Sequence, residues 1–161
     1  MEHVYWVIEN KLAGRPGPTR APWDLEALDA GGIRAIVSLA ADVDVPPLDE
    51  HGFVHYQAQL PAMLLTTKGL QKAFIHEVLP IWRFIHAQLG AGHPTMVHCY
   101  AGNDRTGAVL AGYLVLYKGL TPDAAIERLR ARNPHAMEAE GYEDVVHHLV
   151  PGEMPDPRTL L

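Results

Sequence analysis

The sequence predicts a single α/β domain built on a central, mainly parallel sheet flanked by helices. Three observations carry that expectation. Short strand-like runs rich in β-branched residues alternate with longer helix-like runs along the chain. The 161 residues match the size of one domain and are enough to bury a core. No internal repeat and no domain linker divides them.

Residues 5–8 read as a first strand and 11–14 as a short second one, after which Pro16, Gly17 and Pro18 break regular structure. A short helix is expected over 23–30, with Pro22 tolerated in its first turn and Gly31-Gly32 ending it. Residues 33–39 form a buried strand. A loop over 40–52 carries Asp42, Asp44, Asp49 and the Pro46-Pro47 pair, and 53–59 alternates as a strand does. Beyond a loop at 61–67, a long helix spans 68–89, interrupted and kinked at Pro80. Residues 94–97 are a buried strand and 107–117 an apolar helix that Gly119 ends. The helix over 121–132 is marked by Thr121 as N-cap with Pro122 in its first turn. A last helix is expected over 138–150, and 151–161 reads as a loose C-terminal tail.

The chemistry concentrates in His98-Cys99-Tyr100-Ala101-Gly102-Asn103-Asp104-Arg105-Thr106, between a predicted strand and a predicted helix. A loop running from strand end to helix start turns successive backbone N–H groups toward one point, where the helix dipole adds positive potential. Such a nest suits a tetrahedral oxyanion. A cysteine at its mouth should lose its proton readily, helped by the amides and by Arg105. The planar guanidinium of Arg105 can hold two phosphate oxygens at once. Thr106 can donate to the sulfur and help it leave. The segment is a phosphate cradle formed by residues 100–105, with the nucleophile Cys99 inside it.

Composition narrows the setting. The net charge of −6 argues against nucleic acid or an anionic membrane as the main partner. A single cysteine rules out an internal disulfide, suits a reducing cytoplasm, and provides no resolving thiol for Cys99. Met1-Glu2-His3 lacks the basic and apolar regions of a signal peptide, and no apolar run is long enough to span a bilayer. His93, His98 and Cys99 fit no common zinc spacing, so neither metal nor cofactor is expected. Nothing in the chain fixes an oligomeric state.

His-Cys, five residues and then Arg-Thr-Gly resembles the signature of cysteine-based protein tyrosine phosphatases, and most of all that of small atypical VH1-like dual-specificity phosphatases. The likeness extends to Tyr5-Trp6-Val7-Ile8, Lys11-Leu12-Ala13-Gly14-Arg15-Pro16, Ile36-Val37-Ser38-Leu39 and Arg132-Asn133-Pro134. It therefore covers roughly residues 4–150 and implies a phosphatase domain over 1–150 with a P-loop between strand and helix. It also implies hydrolysis of phosphomonoesters through a phosphocysteine, with His98 supporting the thiolate by hydrogen bonding. The implied substrate is a phosphorylated protein or another aryl phosphate. Lys at the position of Asn103 is common in phosphoinositide enzymes and is absent here. The competing reading is a phospho-residue binding module with little turnover.

The resemblance breaks at the general acid. The family's Asp follows a hydrophobic-Pro pair, but Ala62 follows Leu60-Pro61 here. Asp104 offers a replacement, since an Asp-Arg-Thr ending is similar to that of myotubularin-type and some bacterial phosphatases. Asp104 can also simply cap the following helix, a role that does not exclude the first. Asp42 and Asp44 are lesser candidates for the acid. The water-positioning glutamine of some members is replaced by Tyr142 or absent. Lys68, near the expected substrate mouth, is read as solvated with phosphate contact as the alternative, and Arg128, Arg130 and Arg132 as solvent-facing, with contact to an acidic substrate open to one of them.

Overall fold

Strands β1 (Tyr5–Ile8), β2 (Leu12–Arg15), β3 (Ala35–Ala40), β4 (Val54–Leu60) and β5 (Thr95–His98) form one sheet in the order β1-β2-β5-β3-β4. The structure, a computed structural model, describes residues 1–161. Only the β1–β2 hairpin is antiparallel; the β2–β5, β5–β3 and β3–β4 pairs are parallel. The central strands β3 and β5 are buried along their whole length, as parallel strands covered on both faces must be. Helices α1 (Leu25–Ala30), α2 (Lys68–Gly90), α3 (Arg105–Lys118), α4 (Pro122–Arg132) and α5 (Tyr142–His147) complete the domain. The larger core joins α2, α3, α4 and α5 to the sheet, and a smaller one sets Leu28 of α1 against Ile36 and Met96.

Helix α3 runs through the middle of this core, with every residue from Arg105 to Leu116 buried. Its approach to α2 depends on Gly112, because a Cβ there would overlap the ring of Trp82. Trp82 Nε1 donates to the Val109 carbonyl at 2.8 Å, which fixes the ring in place. Gly112→Ala would gain up to about 1 kcal/mol in helix propensity, but overpacking of this kind costs about 1–3 kcal/mol. We expect net destabilisation, read as a lower urea midpoint at unchanged m-value.

Several elements depart from the sequence-based expectation. Helix α1 starts at Leu25, because Asp24 accepts from the Ala27 N–H and caps it. Pro22 stays outside, where its carbonyl accepts from Arg15. Helix α2 is not interrupted at Pro80 but runs unbroken around it. The last helix is far shorter than 138–150, since α5 begins only at Tyr142. The residues before it instead spend their N–H groups on the loop after β5: Met137 donates to the Asn103 carbonyl and Ala139 to Asp104. The segment 151–161 is not loose. Gly152 donates to the Val115 carbonyl, and Leu160 is buried in the main core. Helix α4, with its Thr121 cap and Pro122, lies where the sequence placed it.

Candidate active site

The chain leaves β5 at His98, passes through residues 99–104, and enters α3 at Arg105. What holds this loop open is visible in where its carbonyls point. Tyr100 O accepts from Gly17 N–H, Gly102 O from Tyr5 Oη at 2.6 Å, and Asn103 O from the Gly107 and Met137 amides. Cys99 O accepts from His98 Nδ1 at 3.1 Å. Since N–H and C=O point oppositely across a peptide plane, the amides face inward. None of the N–H groups of residues 100–106 donates to a backbone or side-chain acceptor in the chain. Gly102 makes the turn possible: its φ is +76°, and a Cβ would lie 2.7 Å from the Arg15 carbonyl carbon. Burial pushes the Tyr5 hydroxyl well above its usual pKa, so it remains a donor.

The amides open onto a cavity of about 380 Å³, whose lining includes Cys99, Arg105, Asp42 and Asp104. Its rim is apolar: Met63, Leu64 and Tyr100 are exposed beside it. Arg105 is the single cation among the lining residues. It is nearly buried, and its Nη1 donates to both Asp42 Oδ1 and the Leu60 carbonyl at 2.9 Å. Ala62 lines the wall where the resemblance would place an acid.

Asp104 occupies the N-cap position of α3 but makes no capping hydrogen bond. Its backbone is already helical there (φ −90°, ψ −67°), which turns the side chain away from the first-turn amides. The capping reading is therefore overturned. Asp104 Oδ1 instead accepts from the Ala139 N–H at 3.1 Å, and the residue lines the cavity. The bond expected from Thr106 to the sulfur is not formed, and its hydroxyl is buried without a partner. The Asn103 side chain pairs with Asn133 and lies outside the cavity lining, as do Asp44 and Lys68. Tyr142 does line the cavity, and its hydroxyl donates to the Met63 carbonyl at 2.6 Å, tying the 61–67 loop to α5.

His98 is fully buried, and burial lowers its pKa to about 4. With Nδ1–H directed at the Cys99 carbonyl, Nε2 must accept, which assigns a chain of donors. His55 Nε2–H donates to Ser38 Oγ at 2.8 Å, and the Ser38 hydroxyl donates to His98 Nε2 at 2.5 Å. Trp23 packs edge-on against the imidazole at 4.6 Å. Ser38 and Asn133 fall within segments that carry the family resemblance, but the sequence alone gives neither of them, nor His55, a role. Because the folded state holds His98 neutral while the unfolded chain titrates near 6.5, stability is complete above pH 6.5. It falls as pH drops toward 4, by about 3 kcal/mol from this group. Urea unfolding should show that slope in the native chain and a shallower one in His98→Gln.

Residues 13–119 match the family described as Tc-R-P, a polymorphic toxin system DSP-PTPase phosphatase. The phosphatidylglycerophosphate phosphatase PTPMT1 of Arabidopsis thaliana is 39% identical over 56 residues, 35% of this chain and 17% of that protein. Protein tyrosine phosphatase domain-containing protein 1 of Bos taurus is 28% identical over 149 residues, 84% of this chain and 19% of that protein. The chain thus spans less than a fifth of either relative's length. The active form of Tk-PTP superposes with a TM-score of 0.74 at 21% identity, covering 92% of this chain and 96% of that one. Human DUSP28 gives 0.74 at 18% identity, covering 92% and 93%. These structural likenesses establish a protein-tyrosine-phosphatase fold. The family match runs from β2 through α3 and takes in the whole amide-lined loop: the chain belongs to the DSP-PTPase phosphatases.

Proposed function

We propose that the chain is a metal-independent phosphomonoesterase that works through a phosphocysteine. The observation that carries this reading is the run of unpaired amides over residues 100–106, with Cys99 at one end and Arg105 at the other. The Cys99 thiolate attacks phosphorus, the S–P bond forms, and the bond to the leaving oxygen breaks. The amides and Arg105 take up charge on the equatorial oxygens. Asp104 delivers a proton to the leaving oxygen, held in place through Oδ1 by the Ala139 amide while Oδ2 is free of hydrogen bonds. Water then hydrolyses the phosphocysteine. As the S–P bond breaks, the unpaired Thr106 hydroxyl is available to donate to the departing sulfur.

The substrate we favour carries one phosphate on an aryl or other apolar group, with phosphotyrosine in a protein as the leading case. Met63, Leu64 and Tyr100 supply an apolar rim, and Arg105 is already committed to the first phosphate. A relative is named for a phospholipid phosphate, and a structural neighbour was solved with PI(5)P. The lining of this cavity contains no second cation for a further phosphate. A reducing cytoplasm suits an enzyme whose lone thiol is its nucleophile. No helix is long and apolar enough to cross a membrane.

Ala62 in the cavity wall favours a second reading, a phospho-residue binder with little turnover. Steady-state hydrolysis of p-nitrophenyl phosphate in the presence of EDTA separates the two. Sustained EDTA-resistant turnover supports the enzyme. Phosphate binding without turnover would leave the binder.

A further inference from the structure

We propose that Asp42 is a positioning residue for the phosphate-binding arginine. With the Leu60 carbonyl it takes up both hydrogens of one terminal nitrogen of Arg105, leaving the other edge of the guanidinium to grip phosphate. The proposal rests on the reading that Arg105 holds the substrate's phosphate.

A guanidinium presents five N–H donors in a rigid plane. Nη1 carries two of them, and both are used, on Asp42 Oδ1 and on the Leu60 carbonyl, each at 2.9 Å. Those acceptors come from different segments, the loop after β3 and the end of β4. Two fixed acceptors on one nitrogen set the orientation of the whole plane. Nε and Nη2 then make no hydrogen bond within the chain, and Arg105 lines the cavity floor beside Cys99. That free edge carries parallel N–H groups, the geometry that holds two phosphate oxygens together. Without such an anchor, a long arginine side chain must be ordered when substrate binds, which weakens binding.

The arrangement also separates Asp42 from the proton donor. The hydrogen bond from Arg105 holds the Asp42 carboxyl below the usual carboxylate range, so it is charged at neutral pH and has no proton to give. Its side chain is half-exposed while that of Arg105 is almost wholly buried. The pair is thus a surface-accessible acid orienting a buried cation. Asp44, two residues further on, lies outside the cavity lining.

The test is calorimetric titration of inorganic phosphate into the Cys99→Ser protein, alone and combined with Asp42→Ala or Asp42→Asn. Binding is read without turnover, so the result stands apart from the phosphocysteine step. Asp42→Ala should loosen phosphate by roughly tenfold or more, as expected for losing a charge-assisted anchor. Asp42→Asn keeps an oxygen that can accept from Arg105, so it should restore most of the affinity. In the Cys99-containing enzyme, Asp42→Ala should raise KM and lower kcat/KM equally for good and poor leaving groups. Phosphate held as tightly or more tightly by Asp42→Ala overturns the proposal, because Asp42 would then compete for Arg105. A loss that grows with leaving-group pKa overturns it too, making Asp42 the acid. If the Cys99→Ser parent binds no phosphate, the premise and the proposal fall together.

Discussion

Cys99→Ser will abolish turnover, by about a thousandfold or more, while leaving phosphate binding intact. On the proposed phosphocysteine mechanism, the size follows from removing the nucleophile of a covalent intermediate, where the remaining groups rescue little. A serine hydroxyl stays protonated at neutral pH, so the attacking anion is lost. The cradle should survive, because the loop is held by its carbonyls rather than by the sulfur. Gly17, Tyr5, Asn133 and Met137 all grip it from outside. Retention of more than a few per cent of the native rate on p-nitrophenyl phosphate would rule out the phosphocysteine. Loss of phosphate binding together with turnover would mean that the sulfur shapes the loop, contrary to the hydrogen bonding seen here.

The loop was legible in the sequence because its chemistry is consecutive. Strand, cysteine, amide-bearing turn, arginine and helix follow one another within residues 94–117, and local rules cover each step. Helix α4 was legible for the same reason, since Thr121 and Pro122 act within one turn. What escaped depends on contacts far apart in the chain. Asp42 meets Arg105 across 63 residues, and Ser38 meets His98 across 60. Both pairs exist only because β3 lies beside β5, an adjacency that the order of elements along the chain does not state. The capping alternative for Asp104 failed in a similar way. The residue type and position were right for a cap, but the Ala139 amide, 35 residues away, claims its oxygen. The same contact helps hold residues 133–141 over the loop, so α5 starts later than its periodicity implied.

That displaced Asp104 yields the second large effect. If Asp104 donates the proton, Asp104→Asn should cost about a hundredfold to ten-thousandfold on substrates whose leaving group is a poor anion, such as phenyl or alkyl phosphates. It should cost far less on p-nitrophenyl phosphate, whose phenolate departs unaided. Asparagine is the informative replacement because its side-chain oxygen can still accept from the Ala139 N–H, preserving the contact that positions the residue. Only the transferable proton is removed. Asp104→Ala removes both, so a large loss in Ala with little loss in Asn would mark Asp104 as an anchor for residues 133–141. Ala62 supplies the complementary gain of function. It lines the cavity wall, and Ala62→Asp would place a carboxyl where the wider family carries its acid. In the Asp104→Asn background, Ala62→Asp should restore part of the rate on poor leaving groups and change little on good ones. Equal losses on both substrate classes in Asp104→Asn would remove Asp104 as the acid. Asp42, the other carboxylate of the cavity lining, would then be tested in the same way, by whether the loss in Asp42→Asn grows with leaving-group pKa.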